Sequence, residues 1–433
     1  MPSPASTPSE ITCNVLQALF GQCNTTFSVR LWDGTYWPDD GPRQATLVLN
    51  HPGAIRAMFL PGNEVALGEA YLYDDFDVEG NLEVIYGAAE RLILDPPSWA
   101  ERLRLMRQLR LLPEESRRVA ALPQLAGGAR GRARVSGRRH SVARDRQAVT
   151  YHYDVSNDFY RLWQDPHMVY SCAYFQSEDE DLDSAQERKL DYLCRKLRLK
   201  PGQKLLDLGC GWGGLVRHAA SAYGVDATGI TLSQPQADLA NERIRAEGLG
   251  EHCRVLLQDY RQMREPGAYD ALVSVGMFEH VGASHLLRYF AQAWALLKPG
   301  GSFMNHGIAL RGSDRPRKGK SFSNTYVFPD GELVPIHATL RAAERVGFEV
   351  RDVESLREHY ALTLRHWVKR LEAHHEQALQ YVSEPTYRVW RLFMSGSAHG
   401  FTTGRLNLYQ TLLVKPDKAG VSHLPLTRAD WYS

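Results

Sequence analysis

The run Leu205-Leu206-Asp207-Leu208-Gly209-Cys210-Gly211-Trp212-Gly213-Gly214 sets an apolar segment, a carboxylate and a glycine-rich turn in that order. The apolar segment reads as a buried strand. Glycines just beyond it let the backbone close around a ligand at the strand's C-terminal edge. Nicotinamide, flavin and S-adenosylmethionine enzymes all use such a loop, so the loop alone does not choose between them. The end of the next strand does. A dinucleotide site puts an acid about 20 residues onward to hold the ribose, whereas this chain has Thr231-Leu232-Ser233-Gln234-Pro235-Gln236 there. The arrangement favours S-adenosylmethionine. Asp207 is placed for a cationic amino group, with Gly209, Gly211 and Gly213 shaping the turn. Gln236 is placed for ribose hydroxyls, in one turn with Thr231 and Ser233. Asp259 and Tyr260, after the third strand, suit an adenine amino group and its ring face, although an exposed acid is as ordinary a reading of that pair.

These residues need a sheet to position them. From about residue 148 strand-like runs (KLLDLGC, VDATGIT, CRVLLQD, YDALVSVG, GSFMNHGIAL) alternate with helical stretches ending near Tyr223, Leu249 and Leu297. Strands interleaved with helices of 10 to 15 residues imply an α/β fold, a doubly wound, mostly parallel Rossmann-like sheet. Glu279 and His306 then each close a strand, at the edge where such sheets place ligands. Taken singly, His306 is a satisfied strand-end histidine and Glu279 a helix-cap carboxylate.

The 433 residues exceed one hydrophobic core, so two domains are expected. Residues 1–120 read as a small N-terminal α+β domain: β-type runs FSVRLW, TLVLN and AMFL, then the helical NLEVIYGAAERLI. Near Trp99 to Leu112, Arg102, Arg104, Arg107 and Arg110 alternate with leucines, as in a basic amphipathic helix. Residues 121–147 hold seven arginines among Gly and Ser and read as a mobile linker, leaving 148–433 as the catalytic domain. Lys and Arg (51) balance Asp and Glu (50), so that basic stretch is a local asymmetry. It fits an anionic membrane surface. Nucleic acid is disfavoured, because no reading motif accompanies the arginines. No run reaches the roughly 18 apolar residues of a spanning helix, and the N-terminus lacks the order of a signal peptide. The expectation is a cytoplasmic protein with peripheral membrane contact. The six cysteines are scattered without CxxC pairs, so reduced thiols and no metal are expected.

Five segments read together: Tyr151 to Asp154 with Asn157 to Tyr160, Tyr170-Ser171-Cys172-Ala173-Tyr174-Phe175, the glycine loop, Gly276-Met277-Phe278-Glu279-His280-Val281-Gly282, and Tyr326 to Gly331. The chain resembles the cyclopropane fatty acid synthases, which include the mycolic acid methyltransferases, over nearly all of 148–415. LGEAYLYDDFDVEGNLE resembles the small domain that precedes the catalytic one. The resemblance implies a one-carbon unit carried from S-adenosylmethionine to the double bond of an unsaturated phospholipid acyl chain, with a bound bicarbonate removing a proton as a cyclopropane closes. It assigns Glu279, His306, Tyr360 and the backbone at Cys172 and Ile308 to bicarbonate. It adds Tyr170 and Ser171 to the cofactor site. A lipid C-methyltransferase giving methyl-branched or methylene chains is the alternative, and a homodimer is left open.

An alkene is a poor nucleophile and water would quench a carbocation, so such a site needs orientation and dryness. Tyr170, Tyr174, Phe175 and Phe278 are the aromatic candidates for that wall, with core packing an equal reading of each. Cys172 is read as a packed thiol rather than a nucleophile. Ser156 stands where the family commonly has glycine, and His359 reads as an exposed helix residue.

Overall fold

A computed structural model describes residues 6–21, 26–38, 41, 43–115, 132–153, 155–313 and 321–432. The chain divides into two compact units, Met1–Arg132 with Gly319–Val327 and His375–His399, and Ala133–Lys318 with Phe328–His374 and Gly400–Ser433.

In the first unit strands β1 (Phe27–Arg30), β2 (Tyr36–Trp37), β3 (Ala45–Leu49) and β4 (Phe76–Gly80) form a sheet in the order β2-β1-β3-β4. AMFL, expected as a strand, lies at the end of the helix Ala54–Phe59 and its cap. Ala54, Ile55 and Met58 are the buried positions, a helical spacing that a four-residue window hides. Arg388 and Arg391, both buried, need acceptors in a dry interior. Arg388 donates to Asp74 and Asp77, each at 3.1 Å, and Arg391 to the Tyr71 hydroxyl at 2.7 Å.

The second unit is built on an eight-stranded sheet. Its strands are β5 (Lys204–Leu208), β6 (Asp226–Thr231), β7 (Cys253–Leu257), β8 (Tyr269–Val275), β9 (Leu297–Leu310), β10 (Val334–Pro335), β11 (Glu349–Ser355) and β12 (Leu406–Val414). Their order is β11-β12-β9-β8-β5-β6-β7, with β10 beside β9. Pairing is parallel except where β12 meets β9 and β11. This is the expected doubly wound sheet. Strand β5 pairs with β6 on one side and with β8 on the other, which makes the β5/β8 edge the topological switch point.

The structure bears on only the later part of the expected linker, residues 121–147. Residues 121–131 lie outside the described residues. From Ala133 the chain belongs to the second unit, and the helix Val142–Tyr153 begins inside the expected linker. It is held there by charge pairing: Arg144 donates to Asp330 through both Nε and Nη2, and Asp145 accepts from Arg261 at 2.9 Å. Ser156 adopts extended backbone (φ −177°) and caps the helix Asn157–Arg161, its hydroxyl accepting from the amides of Asp158 and Phe159. Any residue adopts that conformation, so serine replaces glycine without backbone cost and adds a cap.

Candidate functional site

Four parallel strands deliver functional residues at or just past their C-terminal ends: Asp207 within β5 with the glycine loop after it, Thr231 as the last residue of β6, Asp259 and Tyr260 after β7, and Gly276 with Met277 after β8. They surround a cleft with about 1140 Å³ of open space. Of the sequence-predicted cofactor residues, Tyr170, Ser171, Asp207, Gly209 and Gly211 line it. So do Thr231, Gln236, Asp259 and Tyr260.

Gly213 and Ser233 do not line it. Gly213 begins the helix Gly214–Tyr223 at φ 77°, where a Cβ would lie 3.1 Å from that of Ala240. Ser233 caps the helix Gln234–Ala246, its hydroxyl accepting from the Gln236 amide. Both shape the site from behind. Gly209 is needed at the cleft itself: at φ 92° a Cβ would sit 2.7 Å from Met277.

Asp207 is 2 % exposed, and its Oδ1 has no hydrogen-bond partner among the described residues. Burial raises its carboxyl to about 7, with the charge of Lys189 opposing the shift. Lys189, 1 % exposed, donates to Ser171 Oγ at 3.0 Å and lines the same cleft. Burial lowers its ammonium to about 8. A buried acid with an open oxygen fits an incoming ammonium group, and a lysine two groups away fits a carboxylate. Together they match the amino-acid end of S-adenosylmethionine. At the other end Thr231 donates to Gln236 at 2.7 Å, while Arg261 grips Asp259 through Nε (2.9 Å) and Nη2 (2.6 Å). A carboxylate has about four acceptor sites, so Asp259 keeps capacity for an adenine amino group.

A second group of predicted residues gathers at the ends of β8 and β9. Glu279 sits in the short turn Phe278–His280 after β8, and His306 lies within β9 beside Val275, the last residue of β8. Glu279 Oε1 accepts from the Ile308 amide at 2.7 Å, so that backbone group already serves the carboxylate. Glu279 Oε2 and His306 Nε2 are buried without partners among the described residues. Burial raises the Glu279 carboxyl to about 7 and drives His306 well below its ordinary value. Tyr360 and Cys172 complete the group. Burial, then the neighbouring Cys172 and Glu279, hold the Tyr360 hydroxyl protonated. The Cys172 thiol is fully buried, pushed up by that burial, and donates to the Ala173 carbonyl at 3.1 Å, which leaves no nucleophile.

Residues 140–411 match the family described as mycolic acid cyclopropane synthetase. The chain belongs to that family. A probable fatty acid methyltransferase of Pseudomonas putida is 42 % identical over 408 residues, 93 % of this chain and 95 % of that one. The cyclopropane-fatty-acyl-phospholipid synthase of Escherichia coli K12 is 37 % identical over 270 residues, 62 % of this chain and 68 % of that one. Among solved structures, mycolic acid cyclopropane synthase CmaA1 complexed with SAH and CTAB superposes with a TM-score of 0.59 at 35 % identity, over 62 % of this chain and 97 % of that one. As a member of the mycolic acid cyclopropane synthetase family, the chain is an S-adenosylmethionine-dependent methyltransferase.

Within this family member, three of the four expected wall aromatics stand elsewhere. Tyr174 stacks on His359 at 4.9 Å and Phe175 on His366 at 5.5 Å, while Phe278 packs among Tyr289 and Phe290 behind the sheet. Only Tyr170 lines the cleft, joined by Tyr153, Trp212 and Tyr260. His359 is not a free surface residue, since its Nδ1 accepts from the Phe175 amide at 3.0 Å. The sequence reading also passed over Lys189, Arg261 and His280, all at the cleft. Lys189 had a signal: it falls on the apolar stripe Leu182, Ala185, Leu190, Leu193 of the helix Leu182–Leu197.

Asp207 gives a pH test. With its carboxyl raised to about 7, it is mostly neutral below that pH and must lose its proton to pair with an ammonium. Calorimetry should show S-adenosylmethionine affinity rising by up to about tenfold per pH unit between roughly pH 5 and 7. Asp207→Asn should weaken binding and flatten the dependence. A flat profile for the unaltered protein would detach Asp207 from the ammonium.

Proposed function

We propose that this methyltransferase forms cyclopropanes, transferring a methylene unit to the cis double bond of an unsaturated phospholipid acyl chain. The observation that carries the reading is the pair of unpartnered buried atoms, Glu279 Oε2 and His306 Nε2, grouped with the Tyr360 hydroxyl next to the cofactor cleft. S-adenosylmethionine, held by Asp207, Lys189 and the glycine loop, supplies an electrophilic methyl group. Bicarbonate, held by Glu279, His306 and Tyr360, supplies a base for the methyl proton.

The side chains support an anion there. Near neutral pH a Glu279 with its carboxyl raised to about 7 is largely protonated below that value and offers Oε2–H as a donor. His306 is neutral and Tyr360 protonated, so the pocket presents donors without net positive charge. Aromatic rings of Tyr153 and Tyr170 exclude water and present π faces to a developing cation.

A second reading is favoured by one observation. The relatives matching most of the chain, those of Pseudomonas putida and Mycobacterium tuberculosis at 93 and 89 %, are both named probable fatty acid methyltransferases. On that reading the cation resolves to a methyl-branched or methylene chain.

The helix Trp99–Leu111 supports peripheral membrane contact. Leu105 and Leu109 face inward, whereas Trp99 (72 % exposed) and Leu111 (71 %) stand out with Leu103, Arg104, Arg107 and Arg110 on one face. Large apolar groups interleaved with arginines suit the boundary of an anionic bilayer. The linker arginines contribute less than the sequence reading gave them: Arg144 and Arg139 pair with Asp330, and Arg132 with Glu69. No helix among the described residues is long and apolar enough to cross a membrane.

Three measurements test the reading. Incubation with mixed unsaturated phospholipids should yield fatty acids one carbon heavier with cyclopropane protons at high field in the NMR spectrum; a retained alkene bearing a methyl or methylene carbon selects the second reading. At fixed bicarbonate, turnover should fall as pH rises through about 7, because Glu279 loses its donor proton. Glu279→Gln keeps a donor at every pH and should remove that fall. If Glu279 itself took the proton, the Gln variant would be inactive throughout. Finally, Trp99→Ser with Leu103→Ser should reduce sedimentation with phosphatidylglycerol vesicles by removing apolar anchors, and added salt should weaken binding of the unaltered protein, whose basic residues near the surface contribute roughly 1 kcal/mol each. Equal binding to neutral vesicles would count against the helix.

A further inference from the structure

Strands β9 and β12 run antiparallel with His306 directly opposite Gln410, so the two side chains meet on one face of the sheet. Both are fully buried, as is Lys196, which reaches them from the helix Leu182–Leu197. Lys196 Nζ lies 2.9 Å from Gln410 Oε1, and Gln410 Nε2 lies 3.2 Å from His306 Nδ1.

The polarity of this chain has one solution. An ammonium has donors and no acceptor, so the amide oxygen of Gln410 must face Lys196 and the amide NH₂ must face His306. The opposite orientation would set two donors against each other. Nδ1 of His306 is therefore an acceptor. Burial and the nearby charges of Lys189 and Lys196 keep the imidazole neutral, so its single proton resides on Nε2. Burial lowers the Lys196 ammonium, and Glu354, which pairs with it, Asp352 at 3.8 Å and the Tyr192 ring at 4.5 Å act against that shift to favour the charged form.

We infer that Lys196 and Gln410 are positioning residues that lock His306 in the Nε2–H tautomer, making it a fixed donor to an anion in the Glu279–Tyr360 pocket and excluding it as the proton acceptor. The second half rests on the proposed anion pocket, and the first does not. Histidine has two neutral tautomers of similar energy, and which one is present is set by the hydrogen bond at the other nitrogen. Here that bond comes from Gln410, whose own orientation is set by Lys196.

Nitrogen-15 NMR of histidine-labelled protein, with His306→Asn used to assign the signals, reads the tautomer directly. The unaltered protein should show one neutral Nε2–H species that does not titrate between about pH 6 and 8. In Gln410→Glu the carboxylate accepts from Nδ1–H, so the proton should move to Nδ1 and turnover should drop about a hundredfold with S-adenosylmethionine affinity preserved. Gln410→Met, which removes the lock without adding charge, should show both tautomers and an intermediate rate. A proton on Nδ1 in the unaltered protein, or an imidazolium, overturns the lock. Unchanged turnover in Gln410→Glu after the tautomer has moved overturns the positioning role. If the unaltered enzyme shows the Nε2–H species yet is indifferent to bicarbonate removal, the anion reading of the pocket fails while the lock stands.

Discussion

Burying the carboxylate of Asp207 at the end of β5 is the constraint on which the rest of the site depends. A lone carboxylate in a dry interior is costly, and among the described residues Lys189 is the charge that offsets it. That single need fixes the helix Leu182–Leu197, which must turn a lysine inward on its apolar stripe. It also places Ser171, whose hydroxyl accepts a hydrogen bond from the lysine at 3.0 Å. The compensation is incomplete, as the raised Asp207 carboxyl and the open Oδ1 show. An acid left short of a partner beside a glycine loop is poised for a cationic ligand, and stability withheld from the protein alone becomes affinity for the cofactor.

The same helix repeats the device one heptad later. Lys196 follows Lys189 by seven residues and so emerges on the same face. The first lysine serves the cofactor end of the cleft and the second serves His306 through Gln410. One helix thus polarises both halves of the site.

The local order of strand, acid and glycines was readable because each depends on neighbours in the chain. Alternation of apolar runs with helical stretches located β5 to β9 and most of the cleft residues, from Asp207 to Tyr260. What stayed hidden depends on contacts distant in sequence. Nothing near Tyr174 or Phe175 announces that His359 and His366 will stack on them, and nothing near His306 announces Gln410, 104 residues away. Likewise 319–327 and 375–399 join the first unit because of partners such as Glu69 for Tyr326 and Asp77 for Arg388. The buried lysines were the exception: a charge on an apolar stripe is a local anomaly, legible in the helical periodicity of its own segment.

The fate of the cation turns on how these groups share protons. Were His306 free to accept at Nε2, it would compete with any bound base, and its position within β9 rather than the substrate's geometry would choose which proton leaves. A neutral donor set removes that competition. On the proposed reading, protonated Glu279, the Nε2–H of His306 and the Tyr360 hydroxyl are weak bases that offer donors to an acceptor, so proton removal would fall to the anion they hold. The anion also brings the negative charge that a carbocation needs in a pocket lined by Tyr153 and Tyr170. On the proposed reading, ring closure follows when the protein supplies donors and the base arrives separately. Loss of one donor would leave the cation to rearrange, so the same fold could give branched chains through small changes at Glu279, His306 or the Gln410 behind it.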